Sequence, residues 1–110
     1  MVMSEIEQIS AEELKHRLDS QTPPVVLDVR TAQELQLARL DNSTHIPMDS
    51  IAQRHTELEP HKPVVVLCHH GYRSMRVAVY LAQRGFDRVA NLAGGIDAWS
   101  LTVDDTIPRY

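Results

Sequence analysis

One cysteine, Cys68, stands in a chain of 110 residues. An internal disulfide is therefore impossible, and a disulfide-stapled fold is excluded. A lone thiol suits a reducing compartment, so the expected location is the cytoplasm. Basic residues are in the minority: 11 Lys and Arg face 15 Asp and Glu, a formal net charge of -4. A broad nucleic-acid surface is not expected from that balance. No apolar run approaches the roughly 20 residues needed to cross a bilayer, so no membrane partner is expected either. The opening stretch MVMSEIEQIS lacks a basic segment followed by an apolar core, and no secretory signal is read there. Repeats, low-complexity tracts and a recognisable linker are missing as well. With 43% hydrophobic residues, the chain has a core's worth of apolar side chains and does not read as disordered. The expectation is one domain over 1–110, its core at about 9–100, with an irregular tail at 101–110.

The elements that remain alternate. Residues 6–9 suggest a short strand. Ser10 and Glu13 then form a capping-box pattern, with Leu14 and Leu18 on one helix face. Pro23 and Pro24 stop that helix. Residues 25–29 form a continuous apolar run broken by Asp28, as in a strand covered on both faces. Thr31 and Glu34 repeat the capping-box spacing, which predicts a short helix to about Leu37. Asn42 and Ser43 predict a turn, 44–46 a short strand closed by Pro47, and Asp49 or Ser50 a cap for a helix towards His55. Val64, Val65, Val66 and Leu67 leading to Cys68 are the strongest strand signal. A helix over 74–84 follows, stopped by Gly85. A last strand at 89–92 leads through Gly94 and Gly95 into a short helix carrying Ile96 and Trp99. Strands alternating with helices predict an α/β fold, a parallel sheet with helices on both faces. Ligands of such sheets bind beyond the carboxyl ends of the strands, where Cys68 lies.

The segment Cys68-His69-His70-Gly71-Tyr72-Arg73-Ser74 joins a buried strand to a helix. A loop curling into a helix N-terminus aims backbone N–H groups at one spot, and the helix dipole adds positive potential there. Such a cradle favours the thiolate and would also hold a persulfide anion. Gly71 can supply a backbone angle that other residues resist, and Arg73 adds a full charge suited to an anionic donor. An inert core thiol is the common fate of a free cysteine. Two histidines, a glycine and an arginine directly after it make poor core material and favour the reactive alternative. His69 and His70 lack the companion ligands of a metal site, so they are read with Tyr72 as loop-lining residues and no metal is expected. Trp99 reads as a packing anchor. Asp28 and Arg30 end the other strong strand at the same sheet edge. They read first as an ion pair ordering the loops, with a supporting role behind Cys68 as the alternative.

Four segments together are similar to a known family. Val26-Leu27-Asp28-Val29-Arg30, His45-Ile46-Pro47-Met48, Cys68-x-x-Gly71-x-Arg73-Ser74 and Asn91-Leu92-x-Gly94-Gly95-Ile96-x-Ala98-Trp99 resemble, in order, the motifs of a single-domain rhodanese, a thiosulfate-type sulfurtransferase. The run from Arg39 to Ser43 departs from the family's pattern; Asn42 keeps a turn feasible, and no histidine role is carried over. The resemblance implies a central five-stranded parallel sheet and no cofactor. It implies a Cys68 thiolate that takes sulfur from thiosulfate or a protein persulfide. Cyanide or a thiol then accepts that sulfur. Two rivals are weighed against it. Phosphatases and arsenate reductases on the related scaffold place five residues between cysteine and arginine, whereas four intervene here. Rhodanese-like interaction modules lack the cysteine, which this chain has.

Overall fold

The computed structural model describes residues 6–110. The elements run β1 (Glu7–Ile9), α1 (Ala11–Leu18), β2 (Val25–Asp28), α2 (Ala32–Leu37), β3 (Thr44–His45), α3 (Ile51–Arg54), β4 (Val64–Leu67), α4 (Tyr72–Gln83), β5 (Val89–Leu92) and α5 (Gly95–Thr102). Short 3-10 turns at Met48–Ser50 and His55–Glu57 flank α3. The helix expected towards His55 is thus split into three short pieces.

All five strands are parallel, in the order β1-β5-β4-β2-β3. The fold is the expected α/β sheet with helices on both faces. Alternation along β4 divides its side chains between two cores. Val64, Val66 and Cys68 point to the face that also buries Val77, Ala78 and Leu81 of α4. Val65 and Leu67 point to the face that buries Leu14 of α1 and Ile96 and Trp99 of α5. The two-residue period of a strand therefore sends Cys68 towards α4 and not α5. The register pairs Asp28 with Leu67 and with His45. The strand ends beyond Asp28, Leu67 and His45 accordingly share one edge, the edge expected to bind ligands.

Capping follows the sequence in part. Thr31 and Glu34 make both bonds of a capping box at α2. Ser10 accepts from the Glu13 N–H at 3.1 Å, but the Glu13 carboxylate turns to Arg17 Nε at 2.8 Å instead of completing the box. Asn42 takes φ 63°, as its turn requires. α4 starts at Tyr72, two residues before the expected Ser74, because Gly71 at φ 105° turns the chain straight into the helix. α5 continues to Thr102, through the first two residues of the stretch expected to be irregular. Among the described residues, no helix is long and apolar enough to cross a membrane.

Candidate functional site

Cys68 follows the last residue of β4 and is 1% exposed. By area it is a core thiol; by its partners it is not. Its Sγ accepts from the Gly71 N–H at 3.1 Å and from the Ser74 N–H at 3.3 Å, and the Ser74 hydroxyl lies at 3.2 Å. Both amides belong to the loop-to-helix junction, where α4 has no internal acceptors for them. The loop carbonyls point the other way. Cys68 O accepts from the Ile96 N–H at 2.9 Å and His69 O from the Asp97 N–H at 3.2 Å. The first turn of α5 thus holds the loop's acceptors, leaving amides for the sulfur. Gly95 makes this approach possible: a Cβ there, at φ 62°, would collide with the carbonyls of Cys68 and His69.

Asn91 and Ser74 brace the cradle. The Ser74 hydroxyl donates to Asn91 Oδ1. Asn91 Nδ2 donates to Gly71 O at 3.1 Å and to Gln8 Oε1 at 2.9 Å. With its proton on Asn91, the Ser74 oxygen is free to accept from the Cys68 S–H; when the sulfur is anionic, rotation lets the hydroxyl donate to it. Asn91 is the buried polar residue of β5, and only its place in the closing motif hinted at it.

Arg73 stands within electrostatic reach of Cys68, but contrary to the sequence expectation its guanidinium hydrogen bonds go to a carboxylate and not to the sulfur. Its Nη1 and Nη2 donate to the two carboxylate oxygens of Glu34, at 2.6 and 2.9 Å. The physical reason is a fork-on-fork fit that a carboxylate one helix away offers the guanidinium. Glu34 is the capping residue of α2, so one side chain caps a helix and pins the loop arginine. Arg73 holds the Glu34 carboxyl well below the usual carboxylate range, against the opposing effect of burial; the Tyr110 hydroxyl and the Thr31 N–H add to the lowering. A depressed carboxylate stabilises the fold above its unfolded value of 4.5 and loses that contribution as the pH falls towards its folded value. Glu34→Gln is therefore expected to cost about 1–3 kcal/mol at neutral pH. Urea unfolding of both proteins across the acid range should show the gap narrowing below pH 4.5. A gap that stays constant into acid would break the assignment.

Asp28 and Arg30 form an ion pair with both side chains at 0% exposure. Arg30 reaches Asp28 through Nε at 2.9 Å and Nη2 at 2.6 Å. Its Nη2 also donates to Ala38 O at 2.8 Å and its Nη1 to the Tyr110 hydroxyl at 3.0 Å. His45 Nε2 meets Arg30 O at 2.7 Å, which ties β3 to the same corner.

His69 and His70 stack with ring centroids 3.9 Å apart. Their ligand atoms and an Asp97 oxygen lie within 4.8 Å of one another. The two rings lie 28° from parallel. Asp97 is held by Arg109 at 2.8 and 3.3 Å. Burial, then the neighbouring His70, lowers the His69 pKa. Tyr72 is 82% exposed and makes no wall of the cradle. At the same sheet edge a cavity of about 160 Å³ opens between Arg73 and the 47–49 turn, with Arg30, Thr31, Pro47, Met48 and Asp49 around it.

A model of the rhodanese-like domain family matches residues 10–102. A sulfurtransferase of Allochromatium vinosum is 35% identical over 95 residues, 86% of this chain and 89% of that protein. The thiosulfate sulfurtransferase GlpE of Vibrio cholerae is 38% identical over 74 residues, 67% of this chain and 70% of that one. A solved rhodanese-like domain protein from Staphylococcus aureus superposes with a TM-score of 0.83 at 30% identity, covering 96% of this chain and 99% of that one.

Proposed function

Because this chain belongs to the rhodanese-like domain family, we propose that it is a sulfurtransferase that carries sulfur as a persulfide on Cys68, with thiosulfate or a protein persulfide as donor. The observation that supports this is the sulfur position: Sγ sits at the head of α4 with the N–H groups of Gly71 and Ser74 on it. The Cys68 thiolate attacks the outer sulfur of the donor. The donor's S–S bond breaks, and sulfite (or a thiolate) leaves with the electron pair. A new S–S bond makes Cys68 a persulfide. A thiol or cyanide then attacks the terminal sulfur and expels the Cys68 thiolate. The N–H groups stabilise negative charge on sulfur before and after transfer, in the manner of an oxyanion hole. Two half-reactions with a covalent intermediate give ping-pong kinetics.

Cys68 is buried, so the loop must yield before donor and sulfur meet. Arg73 shares its charge with Glu34, and the backbone amides therefore carry most of the anion binding. Intact-mass spectrometry tests the reading. Incubation with thiosulfate, or with a persulfide-charged protein, should add one sulfur atom to Cys68, removable by cyanide. No added sulfur from either donor would sink it.

A further inference from the structure

Residues 103–110 pack along the face of α5 and end on the Cys68 loop. Val103 and Ile107 pack against the core that holds Ile96 and Trp99. Arg109 grips Asp97 in the first turn of α5, and Asp97 stands 4.0 Å from His70 Nε2. These contacts deliver Tyr110 to the point where four elements meet. Its ring stacks on His69 with centroids 3.8 Å apart and planes 8° from parallel. Its hydroxyl donates to Glu34 Oε2 at 2.6 Å and accepts from Arg30 Nη1 at 3.0 Å. Arg73 holds both oxygens of that carboxylate, so Oε2 accepts from the phenol and the guanidinium together. One phenol thus joins the residue after Cys68, the end of β2, the head of α2 and, through Glu34, the head of α4.

We propose that Tyr110 is a positioning residue of the sulfur-transfer site, holding the Cys68 loop and the Glu34–Arg73 pair in register through its stack on His69 and its hydroxyl bridge. This rests on the sulfurtransferase reading for its consequence, but not for its geometry. The stack and the bridge act on different partners. The aromatic ring clamps His69, whose Nε2 is the one buried side-chain nitrogen or oxygen without a hydrogen-bond partner among the described residues. The flat face of Tyr110 covers that side chain, and the Tyr110 backbone adds a hydrogen bond to it. The hydroxyl links two ion pairs, Asp28–Arg30 and Glu34–Arg73, that otherwise belong to separate corners. Burial, then the bond to Glu34, raises the phenol to about 12. It therefore keeps its proton, and donates, throughout the neutral range. Opening the loop to a donor disturbs the same contacts, which places Tyr110 where loop order and donor entry are set together.

Three proteins test this: wild type, Tyr110→Ala and Tyr110→Phe. Hydrogen exchange at the Gly71 and Ser74 amides is the first readout, and thiosulfate kinetics are the second. In Tyr110→Ala those two amides should exchange about tenfold faster, while amides of β2, β4 and β5 keep their protection. Tyr110→Phe, which keeps the ring, should restore loop protection. Its loss of the bridge should appear as a change of about threefold in KM for thiosulfate at nearly constant kcat. Unchanged exchange at Gly71 and Ser74 in Tyr110→Ala overturns the proposal. Faster exchange spread evenly over the strands also overturns it, since Tyr110 would then be only a stability contact. Wild type that takes no sulfur from any donor defeats the sulfurtransferase reading, and the exchange data still decide the tyrosine.

Discussion

Cys68→Ser is expected to lower sulfur transfer by at least about a thousandfold while leaving the domain folded. The replacement is nearly isosteric, and its hydroxyl inherits the Gly71 and Ser74 amides that now face Sγ. The buried polar group is therefore satisfied, and the stability cost is about 1 kcal/mol or less. The chemistry, by contrast, has no substitute. A serine oxygen stays protonated at neutral pH and forms no persulfide, and this is the only cysteine in the chain. Cys68→Ala separates the two effects further, since it removes the acceptor of both amides as well as the nucleophile. It should lose activity equally and stability more. Thiocyanate formation from thiosulfate and cyanide gives the rate, and thermal unfolding gives the stability. Activity within tenfold of wild type in the serine protein would mean that sulfur travels by another route.

The parts of this site that lie close in the chain are legible in the sequence alone. The β-branched run of β4 marks a buried strand, Gly71 a reversed backbone angle, and the segment from Cys68 to Ser74 a strand-to-helix loop, although α4 already begins at Tyr72. The spacing of Thr31 and Glu34 reads as a capping box, and it is one. What spacing cannot show is the second use of a side chain by a distant element. Glu34 meets Arg73 39 residues further on, and Tyr110 meets Arg30 across 80. Local patterns carry no information about such pairings, because topology decides them. Arg73 read as a free anion binder for that reason: nothing near it in sequence announces its carboxylate. Residues 103–110 read as irregular because they lack periodicity, and they do lack it. Their order comes from Ile107 packing and the Arg109–Asp97 pair instead.

The burial of Arg30 is the other feature that sequence alone understates. Asp28 and Arg30 are two apart at a strand end, which suggests an ion pair but not one with both side chains sealed from water. Charged residues at strand ends are usually solvated. Here Asp28 and Ala38 O accept from the inner guanidinium nitrogens, and Tyr110 closes over Nη1. Desolvation of both charges offsets much of their attraction, so the pair is a weak source of net stability. Breaking it is another matter. Arg30→Ala strands the Asp28 carboxylate in the core and leaves Ala38 O without its donor, which costs about 3–5 kcal/mol. Whole domains of this size hold only about 5–15 kcal/mol, so the variant should melt roughly 10–30 °C lower or fail to fold. The same asymmetry predicts a rescue. Asp28→Leu combined with Arg30→Met removes both charges and refills the volume, and it should recover a good part of the lost melting temperature. Both proteins are compared with wild type by thermal unfolding at neutral pH. A single variant that melts within a few degrees of wild type would show that water reaches Asp28, and that the corner behind Cys68 is held by packing and not by this pair.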